Sequence, residues 1–439
     1  MDDNIINSYK KNTSGSEKLF NKSQKLLPGG VGGSSPSYEP YPIFIDRADG
    51  SKIWDVDGNE YIDFNLCWGV LLVGHSHPKI IEGLNDQLKK GTIYGLPHRE
   101  SVELAEAIAE RFPVDKVRFT NSGSESTLYA IRLARNFTGK DKIIKIEGSY
   151  HGVADPLHIS KKPPKNKAGP VKRPTSIPYG KGITQGTIED TLNAPFNDIE
   201  TMSDILEENL GEVAAIIVEP IMMNSGVVPP SDGYLKQLRK LADEHNVLLI
   251  FDEVKTGVKV AMGGAAEYYN VKPDLITLAK AIGGGLPLGA CAGRSEIIDK
   301  IGEEGLFGTY SSNPLSVRAG KITLTDILTK SAYKRLEGFG NYLMSGYKDI
   351  IDDFDLSAVV QGVNAVAGIL FCENKVENYR DWTYVDVSKM DEYLIRMVDK
   401  GVIPMSHGAD EEWLISVQHD KEDLDTHLEA FKSVAPRLK

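Results

Sequence analysis

The stretch that decides the fold lies at 247–290. It opens with VLLIF at 247–251, which leads directly into Asp252, and it contains LITL at 275–278, which leads into Lys280 and a run of three glycines. Short runs of consecutive apolar residues are typical of strands buried on both faces, because a strand with one solvated face alternates polar and apolar residues. The stretch therefore predicts neighbouring strands of a parallel sheet, with a polar residue after each.

The same alternation of strands and helices extends outward from this stretch. Further strands are predicted at 117–120, 143–146, 214–218 and 290–292, and helices at 79–90, 100–111, 124–137 and 232–245. Parallel strands need a crossover connection, which is usually a helix. The order therefore indicates an α/β fold, in which helices cover a mostly parallel sheet.

Both ends of the chain have a sequence pattern that differs from this alternation. Residues 42–64 contain short strand patterns separated by Asp49-Gly50 and Asp57-Gly58. Because Asp-Gly favours tight hairpin turns, a small antiparallel meander is predicted there. Beyond about 315 the pattern is α+β, with helices predicted at 316–328, 332–350, 388–400 and 421–435 and strands near 357–372 and at 413–417.

Charge and cysteine content exclude several classes of protein. The 439 residues include 50 Lys and Arg against 62 Asp and Glu, so the net charge is −12 and no nucleic-acid partner is expected. The three cysteines form no CxxC pair and leave one over from any disulfide, which is typical of a reduced, cytoplasmic setting. No apolar run is long enough to cross a bilayer and no apolar signal core is visible, so no membrane partner is expected.

Ligands of α/β sheets bind at the carboxyl ends of the strands, which makes the residues there candidates for chemistry. A buried Asp252 needs a cationic or donor partner and could hold a protonated ring nitrogen; a structural N-cap acid is the alternative. Lys280 is followed by the glycines at 283–285, which let backbone approach a ligand closely. A lysine in a partly dry cleft can form a Schiff base, and the alternative is an ordinary surface lysine.

Two further strand ends carry residue types that bind ligands. The segment NSGSE at 121–125 opens the helix at 124–137, where free backbone N–H groups and hydroxyls suit a phosphate; an ordinary N-cap serine is the alternative. Tyr150 and His151 follow the strand at 143–146, where a ring can stack on a planar ligand or pack at the rim. Residues 160–187, rich in Lys, Pro and Gly, predict a long surface excursion, either a lid or an interface loop.

Several motifs follow one another in a fixed order. They are LPGGV (27–31), DVDGNEYIDF (55–64), GHSHP (74–78), FTNSGSESTLYAIRLAR (119–135), KIEGSYHG (145–152), VEP (218–220), GVVPP (226–230), LLIFDEVKTG (248–257), KPDLITLAKAIGGGLPLGA (272–290) and GTYSSNP (308–314). In this order they resemble the class III aminotransferases of the fold-type I pyridoxal-phosphate enzymes. Within that class, the chain is most similar to the glutamate-1-semialdehyde 2,1-aminomutase branch, over about residues 16–330 and more loosely beyond.

The resemblance implies a role for each matching residue. Lys280 would hold pyridoxal 5′-phosphate as an internal aldimine and move the proton between carbons, while Asp252 would pair with the protonated ring nitrogen. Tyr150 would stack on one face of the ring and Val254 would pack on the other. The other implied cofactor-binding residues are Ser122, Gly123 and Ser124 at the phosphate, Asn224 near the ring hydroxyl, Glu219 at the strand end close to the cofactor, His151, and Thr309. No metal is implied.

The resemblance also implies how the chain is organised. Thr309 would reach the phosphate of the neighbouring subunit, so a homodimer with active sites at the interface is expected. A large PLP-binding domain is expected at 71–315. A small α+β domain is expected from both chain ends, with its N-terminal segment at 1–70 and its C-terminal part at 316–439.

The activity implied is transfer of an amino group between an amine or amino acid and a keto acid or aldehyde. Glutamate-1-semialdehyde aminomutase, which moves the amino group within one molecule, and a racemase or epimerase of the same class are the alternatives. The aminomutases carry a carboxylate-binding arginine in the loop after PGGV. Here PGGVGGSSPSYEPYP at 28–42 contains neither arginine nor lysine, which favours the transaminase.

A second departure concerns the segment after Asp252. Lys255 and Lys259 stand where the aminomutases have methionine and arginine, and an ammonium is a weak replacement for a bidentate guanidinium. The residues left as candidate anchors for a substrate carboxylate are Arg99, Arg318 and the lysines of 160–187. The aromatic residues Tyr38, Tyr41, Trp68 and Tyr94 suggest a pocket for a hydrophobic substrate, with plain packing as the alternative.

Overall fold

The computed structural model of the protein describes residues 3–33, 39–405 and 412–439. The chain forms two compact units. The large unit consists of residues 78–335 and 375–384, and the small unit consists of residues 1–77, 336–374 and 385–439. The domain limits expected from the sequence, at 70/71 and 315/316, stay a prediction. Within the described ranges, no helix combines the length and the apolarity that crossing a membrane requires.

The elements alternate regularly through the middle of the chain. The strands are β1 (Ile45–Asp49), β2 (Lys52–Asp55), β3 (Glu60–Asp63), β4 (Lys116–Thr120), β5 (Lys142–Ile146), β6 (Thr191–Ala194), β7 (Val213–Val218), β8 (Leu248–Asp252), β9 (Leu275–Leu278), β10 (Gly289–Gly293), β11 (Val359–Val363), β12 (Val366–Leu370), β13 (Val402–Ile403) and β14 (Trp413–Leu414). The helices are α1 (Asp3–Asn12), α2 (Ser14–Ser23), α3 (Leu66–Gly69), α4 (Pro78–Leu88), α5 (Arg99–Arg111), α6 (Gly123–Thr138), α7 (Gln185–Glu189), α8 (Ile199–Glu208), α9 (Tyr234–Glu244), α10 (Gly264–Tyr269), α11 (Ser295–Ile298), α12 (Pro314–Ile322), α13 (Lys330–Asp353), α14 (Tyr379–Trp382), α15 (Val387–Asp399) and α16 (Lys421–Val434).

A seven-stranded sheet in the order β4-β10-β9-β8-β7-β5-β6 forms the centre of the large unit. The run from β6 to β9 is parallel throughout, whereas β10 is antiparallel to both of its neighbours. Every residue of β7, β8 and β9 is buried, as expected for strands covered on both faces. The predicted mostly parallel, helix-covered sheet is therefore confirmed.

Helix α6 holds the candidate site against the sheet. Its apolar face packs with strand residues in one buried cluster, whose members include Ala130, Leu133, Ala134, Ile217, Ile250 and Cys291. Burying apolar surface stabilises by about 25 cal/mol per Å². The helix begins after the N-cap Ser122 and ends at Gly139, whose φ of 68° favours glycine. This packing fixes the N-terminus of α6 relative to the strands.

The small unit contains two smaller sheets. One has the order β1-β2-β3-β13 and the other β11-β12-β14. The pairs β1–β2 and β2–β3 are antiparallel, which confirms the meander predicted at 42–64. Tyr41 lies in a buried cluster of this unit with Tyr9 and Phe20, and its ring centroid is 5.4 Å from that of Tyr9. Plain packing thus accounts for Tyr41, while Tyr38 lies outside the described residues.

Some elements carry too weak a pattern to be predicted. Helix α1 presents few apolar residues, and Ile5 and Tyr9, spaced one helical turn apart, are its members of the small-unit cluster. Strand β6 has the sequence TLNA and pairs only through its parallel contact with β5 at the sheet edge. In both cases tertiary packing outweighs a weak local preference.

Candidate active site

The predicted site residues of the large unit come from neighbouring strand ends. Asp252 is the last residue of β8, Glu219 follows β7, and Lys280 lies two residues beyond β9. Tyr150 and His151 lie a few residues beyond β5. Because β5, β7, β8 and β9 are parallel, their carboxyl ends share one edge of the sheet.

Asp252 is a buried carboxylate with three polar partners. Its Oδ2 lies 2.7 Å from His151 Nδ1, and its Oδ1 accepts hydrogen bonds from Thr277 Oγ1 at 2.9 Å and from the Val254 N–H at 3.0 Å. His151 is buried too, and its Nε2 has no hydrogen-bond partner within the described chain. These hydrogen bonds to both side-chain oxygens offset the cost of burying such a polar group.

Glu219 accepts hydrogen bonds from the segment after β5 and from the segment after β7. Its Oε1 accepts a hydrogen bond from the Tyr150 N–H at 2.9 Å, and its Oε2 accepts from Asn224 Nδ2 at 2.8 Å and from the Met223 N–H at 3.0 Å. Burial raises the pKa of this carboxyl, while the charge of His151 and the backbone donors act in the opposite direction. Glu219 thereby fixes Tyr150 and Asn224 on either side of it.

Lys280 is held in a strained backbone conformation. Its φ is 49°, in the left-handed region that non-glycine residues rarely adopt, and its side chain is half-buried. Gly284, shortly after it, has a φ of 57°, and a Cβ there would lie 2.7 Å from Ile80. Such strain persists only where surrounding structure enforces it and is frequent at functional sites. The geometry favours a functional Lys280 over an ordinary surface lysine.

The N-terminus of α6 forms a close-packed cradle. A Cβ on Gly123 would lie 2.9 Å from Val254, and a Cβ on Gly152 would lie 2.5 Å from the Ser124 hydroxyl oxygen and 2.8 Å from its Cα. Ser122 caps the helix by accepting the Glu125 N–H at 3.2 Å. The N-cap predicted as the alternative is therefore present. The first-turn backbone N–H groups of a helix still attract an anion.

Tyr150 and Val254 lie beside these groups. The Tyr150 ring is half-buried, and burial raises the pKa of its phenol, with Asp252 adding to the increase and Lys255 opposing it. Val254 donates its N–H to Asp252 and contacts the position of Gly123. Tyr150 and Val254 are thus both near Asp252.

Thr309 occupies a different position from the other predicted residues. It is exposed on the turn at 308–313, where Asn121 Nδ2 lies 3.3 Å from Ser311 Oγ and the Asn313 side chain caps α12. The turn therefore lies next to the segment at 121–125 that precedes α6. The structure of one chain leaves the role of Thr309 toward a neighbouring subunit a prediction.

Sequence reasoning missed Thr277 and Glu253. Thr277 is the polar residue within β9 and pairs in register with Asp252, so a hydroxyl in an otherwise apolar strand was the available signal. Glu253 is fully buried and accepts the N–H groups of Ala265 and Ala266 at 2.7 and 2.8 Å at the start of α10. Burial raises its pKa to about 7. Glu253 therefore fills the structural capping role considered for Asp252.

The candidate carboxylate anchors differ in their surroundings. Arg318 forms an ion pair with Glu100 at 2.7 Å, and Arg99 is exposed. Lys255 is buried and donates to the Met223 carbonyl at 2.9 Å. Lys161, in the excursion at 160–187, lies with its ammonium 4.4 Å from the centroid of the Tyr150 ring. The structure therefore brings the last two cations close to the predicted site.

Two comparisons with known proteins match nearly the whole chain. The family model of class-III aminotransferases matches residues 34–434. The glutamate-1-semialdehyde 2,1-aminomutase of Methanothermobacter thermautotrophicus is 42% identical over 429 residues, which cover 97% of this chain and 99% of that enzyme.

The solved structures extend this likeness to the fold. An omega-transaminase from Sphaerobacter thermophilus is 28% identical with a TM-score of 0.90, covering 98% of this chain and 99% of that one. A glutamate-1-semialdehyde aminomutase from Pseudomonas aeruginosa PAO1 has a TM-score of 0.91 at 22% identity, over 100% of this chain and 97% of that one, and shows the fold alone. The fold expected from the sequence is therefore confirmed, and the chain belongs to the class-III aminotransferase family.

Proposed function

We propose that the protein uses pyridoxal 5′-phosphate to move an amino group between an amine or amino acid and a keto acid or aldehyde. The observation that carries the proposal is the buried Asp252–His151 pair, which lies at the same sheet edge as the strained Lys280. A buried carboxylate, a lysine and a phosphate cradle are the groups that this cofactor requires of a protein.

The residues present fit the cofactor group by group. The cradle of Ser122, Gly123 and Ser124 at the N-terminus of α6 would hold the phosphate through first-turn N–H groups and hydroxyls, and the missing side chain of Gly123 lets Val254 pack against this turn. Asp252 would pair with the protonated ring nitrogen. His151 would support that carboxylate through its 2.7 Å contact.

The remaining groups of the cofactor also find partners. Tyr150 and Val254 would cover the two faces of the ring, and Asn224, fixed by Glu219, would lie near the ring hydroxyl. Lys280 would hold the cofactor covalently through its side-chain amine. This assignment makes Lys280, Asp252 and Tyr150 the residues closest to the chemistry.

The cofactor, when bound, supplies the electron sink that stabilises negative charge on the substrate carbon. Lys280 would be the base that takes the proton from the substrate carbon and returns it to another carbon. Asp252 would keep the ring nitrogen protonated, and Tyr150 would limit the access of water to the ring face.

We also propose that the enzyme acts as a cytoplasmic homodimer. Thr309 lies on an exposed turn, and the large unit has exposed apolar side chains nearby in the sequence, including Phe307 and Tyr310. Tyr310 lines a cavity of about 540 Å³ together with Asn121 and Glu125, next to the proposed phosphate cradle. A second copy that covers this surface would bring its own Thr309 toward the cradle.

A second candidate is the aminomutase reaction on glutamate 1-semialdehyde. The observation in its favour is the 42% identity to the Methanothermobacter thermautotrophicus enzyme over nearly the whole of both chains. Against it stands the loop at 28–42, which has neither arginine nor lysine. The two reactions differ in whether the amino group leaves the substrate, so one assay separates them.

The decisive experiment is a donor and acceptor screen on the protein reconstituted with pyridoxal phosphate. We expect a yellow protein that transaminates, and we expect Lys280→Ala to abolish turnover. Lys181→Ala, at an exposed position, is the matched control. Conversion of glutamate 1-semialdehyde to 5-aminolevulinate without any oxo acid would establish the aminomutase instead. Transamination by the Lys280→Ala variant would disprove the role of Lys280.

A further inference from the structure

The excursion at 160–187 has an unusual charge, and we call it the basic segment. It contains seven Lys and Arg and neither Asp nor Glu, in a chain whose net charge is −12. A local concentration of one sign of charge attracts ligands of the opposite sign. Lys172 and Arg173 form ion pairs with Glu200 and Glu208, so their charges are offset at the surface.

The basic segment is tied to the candidate site by several bonds. Arg380 binds Glu147 with two hydrogen bonds of 2.5 and 2.8 Å and donates to the carbonyls of Ala168 and Gly169 at 2.7 and 3.1 Å. The Tyr379 hydroxyl donates to the Pro163 carbonyl at 3.0 Å. Glu147 belongs to the turn that leads to Tyr150, so the segment is attached to the site.

These bonds place Lys161 at Tyr150. The Gly148 N–H donates to the carbonyl of Ser160, the residue before Lys161, at 2.9 Å. The Lys161 ammonium lies 4.4 Å from the centroid of the Tyr150 ring and 5.0 Å from that of Tyr179. An ammonium is attracted to the face of an aromatic ring, and its three N–H groups are donors of the kind that bind a carboxylate.

We propose that Lys161 binds the carboxylate of the substrate, so that the enzyme selects amino acids and oxo acids over simple amines and aldehydes. The inference rests on the proposed function, because it takes Tyr150 as the residue that covers the cofactor ring. The ammonium of Lys161 would supply the positive charge that the loop at 28–42 lacks. Lys161 is thus a specificity-determining residue of the same site.

The test uses acceptors that differ only in the carboxylate. The amine form of the holoenzyme is mixed with pyruvate or acetaldehyde, and with 2-oxobutyrate or propanal, in single-turnover absorbance measurements. We expect Lys161→Met to raise the half-saturating concentration of each oxo acid by about 10-fold to 100-fold, the effect of losing one charged hydrogen bond. The maximal rate, and all constants for the matching aldehydes, should change less than about threefold.

Two control variants separate charge from structure. Lys161→Arg should restore oxo-acid affinity to within about fivefold, because it returns a cation that can bind a carboxylate. Lys181→Met removes the same charge from an exposed position of the basic segment and should change nothing. If Lys161→Met weakened the binding of an oxo acid and of its matching aldehyde equally, the role of Lys161 would be purely structural and the proposal would be overturned.

The remaining outcomes are also decisive. Unchanged oxo-acid affinity in Lys161→Met, or a wild type that accepts only the aldehydes, would overturn the proposal. If none of the four acceptors reacts, glutamate 1-semialdehyde serves as the substrate in their place. The proposal then requires that Lys161→Met raise the KM for glutamate 1-semialdehyde at least about tenfold. Failure of the proposed function has a different signature, namely a wild-type protein that neither turns yellow with the cofactor nor transfers an amino group.

Discussion

At the scale of single residues, the acids at 252 and 253 are neighbours in sequence with different tasks. Asp252 interacts with His151 and Thr277, whereas Glu253 caps the start of α10 through the N–H groups of Ala265 and Ala266. Both are buried. Because successive residues at a strand end point in opposite directions, one acid faces the site and the other faces the scaffold.

This difference predicts the effect of neutralising each acid. Asp252→Asn should lower kcat by at least about 100-fold, because an amide cannot keep a ring nitrogen protonated, while the protein should still turn yellow through Lys280. Steady-state rates and visible absorbance of the reconstituted protein measure both effects.

Glu253→Gln is the matched control for this experiment. It should keep kcat within about threefold and lower the thermal midpoint instead, since it weakens two buried hydrogen bonds. If the two variants lost kcat to the same extent, the assignment of Asp252 to the cofactor and of Glu253 to the scaffold would be wrong.

At the scale of elements, the sequence was enough to predict the strands that carry the site. It was not enough to predict which side chains from different elements contact each other there. The runs at 247–251 and 275–278 are apolar enough to mark buried strands, and they form β8 and β9. The bond between Thr277 and Asp252 depends on the register of β8 against β9, which no local pattern encodes. Likewise, the position of Lys161 depends on Tyr379 and Arg380, more than 200 residues away.

Three helices of the small unit meet at a buried polar cluster. The hydroxyl of Tyr347 from α13 lies 2.6 Å from His427 Nε2 of α16 and also bonds to the Tyr393 hydroxyl of α15. Burial lowers the pKa of His427 to about 3, with His419 adding to the decrease. Burial also lowers the pKa of His419 to about 4. Both imidazoles are therefore neutral in the folded protein at neutral pH.

The cluster predicts how stability depends on pH. The unfolded chain protonates these histidines near pH 6.5, whereas the folded chain does so only near pH 3 to 4. The stability that comes from keeping these two histidines neutral is therefore fully present above about pH 6.5 and is lost progressively as the pH falls toward 4. We expect each imidazole to cost about 2 kcal/mol of unfolding free energy at pH 5, measured by urea unfolding at pH 7 and pH 5.

His427→Phe provides the comparison for this effect. The variant keeps a ring beside Phe64 and Tyr347 but has nothing to protonate, and Tyr347 retains Tyr393 as a partner. Its loss of stability between pH 7 and pH 5 should be smaller than that of the wild type by about 2 kcal/mol. An equal loss in both proteins would show that His427 does not titrate as its burial implies.

At the scale of the whole molecule, the apolar surface near the site argues for a second copy. Five large apolar or aromatic side chains in the segments 93–96 and 307–310 are exposed, namely Ile93, Tyr94, Leu96, Phe307 and Tyr310, with Leu96 75% and Phe307 73% exposed. Exposed apolar patches mark interaction surfaces. The cavity lined by Ile93 and Tyr310 reaches Asn121 beside the proposed phosphate cradle, so closing this surface would also close the site.

The expected result is a homodimer that depends on this surface. Light scattering after size exclusion should give twice the mass of one chain, and Phe307→Asp should produce monomer, because a charge placed in an apolar interface costs several kcal/mol. The monomer should also lose bound cofactor, because it lacks the partner's share of the phosphate site.

Leu210→Asp is the appropriate control for the dimer, since Leu210 is also 73% exposed. It precedes the amino end of β7, whereas the site lies at the carboxyl ends of the strands, so a charge there should leave both mass and activity unchanged. A wild type that is monomeric and fully active would contradict the proposed interface. So would a Phe307→Asp variant that remains dimeric, because the contact between copies would then lie on another face.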